Sequence, residues 1–262
     1  MSGADAIRQA ADALYAAQVE TRAIEPVVDL LGEGAVDAAY RVQELVLCRR
    51  EADGHVRIGR KVGLTNPAVQ RQLGVDQPDF GVLLSDMRAT GREPIDMARL
   101  VSPRIEAEIA FVMARDVDAV DRDSVVAAVE TVVAAFEIVD SRVRDWAISI
   151  VDTIADNASS ALYVLGDERR PLAEVDPVTV TMSMTENGEV VSTGSGAACL
   201  GDPVDALVWV AQTAARLGRP LRAGEVVLSG ALGPMVPLQA GSTYVAEISG
   251  LGTVTAIAGE VE

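Results

Sequence analysis

One lysine, Lys61, stands against twenty-one arginines, in the run Arg60-Lys61-Val62-Gly63-Leu64-Thr65. A guanidinium stays charged at every working pH, whereas an ammonium is compact and titratable, so the one position that keeps lysine is the first candidate for handling a proton. Glu106 and Glu108 lie two apart in the alternating run from Arg104 to Val112. There Ile105, Ala107, Ile109 and Phe111 point one way and Glu106, Glu108 and Ala110 the other. Glu137 is a third isolated acid, read as ending an apolar helix. Three carboxylates without histidine suit Mg²⁺ or Mn²⁺, hard ions that take oxygen ligands and keep positions open for water or substrate. Each feature also has a plainer reading. Codon usage can strand one lysine by chance, and Glu-x-Glu is the pattern of a sheet's wet face.

Other chemistries are poorly supplied. The only histidine, His55, follows Asp53-Gly54 and reads as an exposed turn residue, so neither a Ser-His-Asp mechanism nor a histidine-rich zinc site is expected. Cys48 and Cys199 are far apart with no C-x-x-C spacing and read as reduced core residues. A formal charge of −17 argues against nucleic acid or an anionic membrane as partner. An organic acid substrate would need a local positive centre to enter so acidic a chain. With no basic-then-apolar opening and no apolar run long enough for a bilayer, the expectation is a cytoplasmic protein.

The elements that must position these residues can be sketched from periodicity. Helices are expected over Ala4 to Thr21 and Val36 to Arg50, strand at Val56 to Val62, a short helix from Asn66-Pro67 to Gly74, and strand again over Gly81 to Leu84. A helix capped by Asp121 or Asp123 is expected to run through Val125, Val129, Val132 and Phe136. The four aspartates from Asp116 to Asp123 miss the spacing of a calcium loop and read as an acidic turn. Asn187-Gly188 signals a hairpin between Val178–Met184 and Val190–Thr193. Asp202-Pro203 opens a helix that Gly218 stops, and three short strands finish the chain. Gly194-Ser195-Gly196 lacks the third glycine of a dinucleotide site. The sum is one α+β domain over 1–262, helical over 1–55 and β-rich over 56–262.

Five segments in order carry a resemblance: Lys61 to Thr65, Gln72 to Gly81, Arg104 to Glu108, Phe136 to Arg142, and Asp156 to Ser160. Together they resemble the hydratase/decarboxylase family of meta-cleavage pathways, within the fumarylacetoacetate hydrolase superfamily. Leu228 to Pro237 looks like the 2-hydroxypenta-2,4-dienoate hydratase branch. The resemblance implies a mixed β-sheet roll with outer helices and Glu106, Glu108 and Glu137 as ligands of a divalent metal, Mg²⁺ or Mn²⁺. It also implies an active site lined by Lys61, Asp79 (before Asp76) and Ser160 (before Ser159). The implied reaction is hydration of 2-hydroxypenta-2,4-dienoate to 4-hydroxy-2-oxopentanoate. Lys61, its pKa lowered by burial and the cation, would shuttle a proton, Asp79 would handle the water, and Ser160 with backbone N–H groups near Gly230 would bind the carboxylate. The rivals are a 2-oxo-3-hexenedioate decarboxylase of the same family and a non-catalytic partner of one. A homo-oligomer, and complexes with such a decarboxylase or a downstream aldolase, are the expected assemblies.

Overall fold

The computed structural model describes residues 2–66, 70 and 77–260. The short helix expected from Asn66-Pro67 to Gly74, and Asp76 with it, lies outside the described residues.

Helices α1 (Gly3–Val19), α2 (Val28–Leu31) and α3 (Val36–Ala52) form the N-terminal portion. Ser2 and Asp5 close a capping box at the start of α1. α1 and α3 bury Ile7, Leu14, Val42 and Val46 against Val151 and Ile154 of the short helix α5 (Ile150–Ala155). That contact sets the N-terminal helices behind the segment carrying Thr153.

The β-rich part opens with β1 (Arg57–Gly63), β2 (Asp79–Leu84) and β3 (Arg88–Ala89), then β4 (Pro103–Met113), helix α4 (Arg122–Ala127), β5 (Val129–Asp140) and β6 (Ser160–Arg170). It continues with β7 (Thr181–Glu186), β8 (Glu189–Ser195), helix α6 (Pro203–Arg216), β9 (Val226–Ala231), β10 (Val236–Pro237), β11 (Thr243–Ile248) and β12 (Gly252–Ile257). The large sheet runs β2-β1-β9-β4-β5-β6-β3, with β10 pairing β4. It is mixed, because β1 meets β9 and β3 meets β6 in parallel while the other pairs are antiparallel. The second sheet, β12-β11-β7-β8, shares a core with it through Met184, Tyr244 and Val254. The curled mixed sheet and outer helices are the α+β roll that the resemblance implies.

Several local expectations hold. Asn187 and Gly188 have φ of 51° and 91°, as the turn between β7 and β8 requires. The Asp202 side chain accepts from Val204 N–H ahead of Pro203, and Asp121 accepts from Ser124 N–H at the start of α4.

Three expectations are corrected. The helix expected to reach Phe136 ends at Ala127, and Glu137 lies within β5. Every residue from Val132 to Asp140 is buried, so the strand shows no alternation, and an unbroken apolar run has no period to tell it from a helix. The β-branched Val129, Thr131, Val132 and Val133 favour the strand. Cys48 is exposed beside Glu44, because it falls on the outer face of α3; Cys199 is the buried one. His55 is partly buried rather than free, its Nδ1 3.2 Å from Asp86.

Candidate active site

Strand pairing assembles the acidic cluster. β4 and β5 run antiparallel with Glu106 directly opposite Glu137, and Glu108, two residues along β4, shares their face. One oxygen from each of the three lies within 4.8 Å of the others. Glu108 and Glu137 are fully buried, which overturns the wet-face reading of Glu-x-Glu. Lys61 enters from β1, three strand positions from β5. In a flat sheet that is a separation of roughly 14 Å. Its Nζ nevertheless lies 3.2 Å from Glu137 Oε1, because the sheet curls.

Asp79 begins β2, across from Gly63 of β1. A Cβ on Gly63 would overlap Asp79 Oδ1 and lie 3.5 Å from Lys61 Nζ, so that glycine makes room for the acid beside the lysine. Thr153 Oγ1 donates to Asp79 Oδ2 at 3.2 Å. Thr153 has no motif of its own in the sequence, but Ser149 and Asp152 form a capping box that marks the helix carrying it.

Lys61, Asp79 and Glu106 line a cavity of about 490 Å³. Its lining is otherwise largely apolar, with Val139, Trp146, Ile148, Leu232, Pro234 and Met235. Ser159 lines the cavity, whereas Ser160 Oγ packs against Gly81 of β2; both hydroxyls are buried without a hydrogen-bond partner. Asn157, Ala158 and Ser159 are three successive left-handed residues, with φ of 54°, 52° and 54°. Asn157 holds that turn to β2, accepting from Val82 N–H at 2.8 Å and donating to Val82 C=O at 2.9 Å. Gly230 N–H is not open to a ligand carboxylate, because it donates to Glu108 Oε2 at 2.8 Å.

The electrostatics are unbalanced. Three buried acids and the half-buried Glu106 surround one ammonium, so burial raises Glu108 well above the usual carboxylate range and pushes Glu137 up to about 7 despite Lys61. Glu106 and Asp79 are raised for the same first reason. Burial alone would push Lys61 down, but Glu137 and then Asp79 outweigh it, so in the metal-free chain its pKa is raised rather than lowered. Glu108 Oε1 and Glu137 Oε2 accept no hydrogen bond, and Glu137 Oε1 meets only the Lys61 ammonium. Three oxygen donors with spare lone pairs and no histidine fit a hard divalent cation, whose charge would offset the surplus acid.

The curled mixed sheet with outer helices is a fold of the fumarylacetoacetate hydrolase type. The family's C-terminal domain model matches residues 55–257, and the chain belongs to that family. Curated relatives that match nearly its whole length are hydratases. It is 48% identical to a 2-keto-4-pentenoate hydratase of Burkholderia vietnamiensis, over 98% of each chain. It is 51% identical to the TodF product hydratase of Pseudomonas putida, over 96% of this chain and 94% of that one. These likenesses place the chain among hydro-lyases. In three dimensions it matches the 4-oxalocrotonate decarboxylase of Pseudomonas putida G7, solved with magnesium and adipate, with a TM-score of 0.92, 31% identity and 98% of both chains covered.

Proposed function

We propose that the chain is a metal-dependent hydratase that converts 2-hydroxypenta-2,4-dienoate to 4-hydroxy-2-oxopentanoate, a step of meta-cleavage degradation of aromatic compounds. The observation that carries this reading is an acidic triad of which Glu106 lines an apolar cavity, with the under-neutralised Glu108 and Glu137 buried within 4.8 Å of it and Lys61 the one cationic side chain in the cavity's described lining. A substrate with one carboxylate and a hydrocarbon tail suits that division. A hexenedioate would bring a second carboxylate to a wall of Leu232, Pro234 and Met235 with no described cation to meet it.

Glu106, Glu108 and Glu137 would hold Mg²⁺ or Mn²⁺, which when bound supplies electrophilic stabilisation of negative charge on the substrate's 2-oxygen. Proton transfer to C5 with loss of the enol proton gives a 2-oxo-3-enoate, water then adds at C4, and C3 takes the last proton. Lys61 Nζ lies beside both Glu137 and Asp79, which suits it to carry a proton between substrate carbon and carboxylate. Asp79, fixed by Thr153 and kept protonatable by burial, is placed to orient and deprotonate water. Ser159 and Ser160 supply the unused hydroxyls of the strained turn, Ser159 from the cavity wall and Ser160 from beneath it. Trp146 and Ile148 shield the tail from bulk water. A cytoplasmic homo-oligomer, working beside a family decarboxylase or an aldolase that consumes the product, completes the reading.

The test is an ultraviolet time course with EDTA-treated protein and freshly generated 2-hydroxypenta-2,4-dienoate, with and without Mg²⁺ or Mn²⁺. Metal-dependent loss of the dienol with gain of one water supports the hydratase. Carbon dioxide release from 2-oxohex-3-enedioate instead makes the chain a decarboxylase, and inertness towards both substrates leaves the structural-partner reading.

A further inference from the structure

β1 and β2 form a wall between two cavities. Successive residues of a strand face opposite ways, so Lys61 and Asp79 face the candidate site while their neighbours Arg60 and Phe80 face a second cavity of about 440 Å³. This cavity lies between α3, the β1–β2 pair and the C-terminal end of α6. It shares none of its lining with the first.

Its floor is aromatic. Tyr40 stacks on Phe80 with ring centroids 5.2 Å apart and 23° between planes, and Trp209 meets Phe80 edge-on at 6.5 Å. Its rim is cationic, with Arg41, Arg57, Arg60 and Arg219 against two acids, Asp37 and Glu44. Glu44 is shared, accepting from Arg57 Nη1 and Nη2 at 2.9 and 3.0 Å and from Arg219 Nη2 at 2.6 Å. Arg60 is committed to Glu225 and to Gly59 C=O. Arg41 has no carboxylate within ion-pair distance among the described residues. Arg57 is held by Glu51 as well, so among the described residues Arg41 is the guanidinium of this hollow left without a carboxylate, in a chain of formal charge −17.

We propose that this cavity is a second ligand site, for a small aromatic carboxylate whose ring lies against Tyr40 and Phe80 and whose carboxylate is taken by Arg41 and Arg219. Planar guanidinium forks match a carboxylate, and stacked rings accept a third in offset geometry. A mostly apolar hollow with few convergent charges is the usual form of a small-molecule site. The ligand would also be felt across the wall. Gln43, on the same face of α3 as Tyr40, donates to Phe80 C=O at 2.9 Å and to Ile154 C=O at 3.3 Å. Phe80 follows Asp79, and Ile154 follows Thr153, which holds Asp79. A ring packed on Phe80 therefore bears on the two backbone segments that position that acid, so the ligand alters turnover without occupying the substrate cavity.

The chain's two tryptophans report on different cavities, because Trp146 lines the first and Trp209 packs on Phe80, which lines the second. In the Trp146→Phe protein, titration with benzoate is expected to change Trp209 emission saturably, with a midpoint that Mg²⁺ and 2-oxopentanoate in the first cavity move by at most a limiting factor and not in proportion to their concentration. Arg41→Glu and Arg219→Glu lie at exposed positions and should each weaken benzoate binding by about tenfold or more while circular dichroism is unchanged. The proposal is overturned by absence of saturation, by displacement with 2-oxopentanoate, or by indifference to both charge reversals. Binding only to chains that sedimentation shows to be dissociated also overturns it, since a second copy of the chain would then fill the cavity. None of these readouts depends on turnover, so they stand apart from the hydratase assignment.

Discussion

Arg142 and Asp156 are as deeply buried as Lys61 and Glu137, yet the two ion clusters are built differently. Around Arg142 the accounts balance: Nε donates to Asp156 Oδ1 at 2.6 Å, its backbone N–H to Oδ2 at 2.9 Å, Nη2 to Asp156 C=O at 2.7 Å and Nη1 to Ser160 C=O at 3.1 Å. Burial, helped by Asp140, still raises Asp156 to about 6, but both its carboxylate oxygens are hydrogen-bonded and the spare donors of Arg142 close the turn between α5 and β6. Around Lys61 one ammonium faces Asp79, Glu106, Glu108 and Glu137; it reaches Glu137 Oε1, while Glu137 Oε2 and Glu108 Oε1 accept no hydrogen bond. Burial costs of that size persist where something outside the chain relieves them. Depth and charge are common to both clusters, so satisfaction of lone pairs is what separates scaffold from site.

Substitutions should therefore act in opposite directions. The largest effect is expected from Glu108→Gln, which keeps the shape and the acceptor for Gly230 N–H but removes a metal ligand's charge. Turnover should fall on the order of a thousandfold and metal affinity with it. Melting of the metal-free protein should be unchanged or higher, because a repelled, desolvated carboxylate has gone. Arg142→Met should do the reverse to stability. Leaving Asp156 buried and unpaired costs about 3–5 kcal/mol, or roughly 10 °C in melting temperature. Scanning calorimetry of both metal-free variants decides the matter, and destabilisation by Glu108→Gln equal to that of Arg142→Met would erase the contrast.

Those two clusters were unequally legible in the sequence. Glu106 and Glu108 stand out because two acids interrupt an otherwise apolar alternation, and Lys61 because composition isolates it. Glu137 was visible as a residue while its element was misread, since a strand buried on both faces carries no period. Ser160 came from motif order alone, and order does not say which of two adjacent serines reaches the cavity. Thr153, Gln43 and the Tyr40–Phe80 stack were missed because each acts on a segment distant in the chain, Gln43 on Phe80 and Ile154 and Thr153 on Asp79. The starts of α3, α4 and α6 and the hairpin turn, which depend on neighbours in sequence, match the expectation.

A smaller effect, in the metal-free chain, concerns pH. Because burial raises the three glutamates, the folded site still holds protons where free carboxylates would have lost them, with Glu137 near 7. A cation must displace those protons. Apparent affinity for Mg²⁺ should thus rise with pH, about tenfold per unit for each proton displaced, and level off once the pH passes the raised values. Isothermal titration in two buffers of different protonation enthalpy counts the protons released. A count of zero at pH 6.5 would show that the cluster is already ionised and so no less satisfied than Arg142–Asp156.

The smallest effect tests whether strain, like charge, is concentrated at the site. Ala158 sits at φ 52° and ψ 36° between two other left-handed residues, a conformation that disfavours any residue with a Cβ and is held by the Asn157 side chain on β2 and by Arg142 on either side of the turn. Glycine adopts it freely but loses more conformational freedom on folding, and the two terms partly cancel. Ala158→Gly is expected to stabilise the protein by about 1 kcal/mol or less. If the left-handed turn also presents Ser159 to the substrate carboxylate, the looser turn should raise KM with kcat nearly unchanged, since uniform binding would be lost rather than transition-state contacts. An unchanged KM would make the turn part of the scaffold, its strain carried by the balanced Arg142 cluster next to it and not used at the unbalanced one.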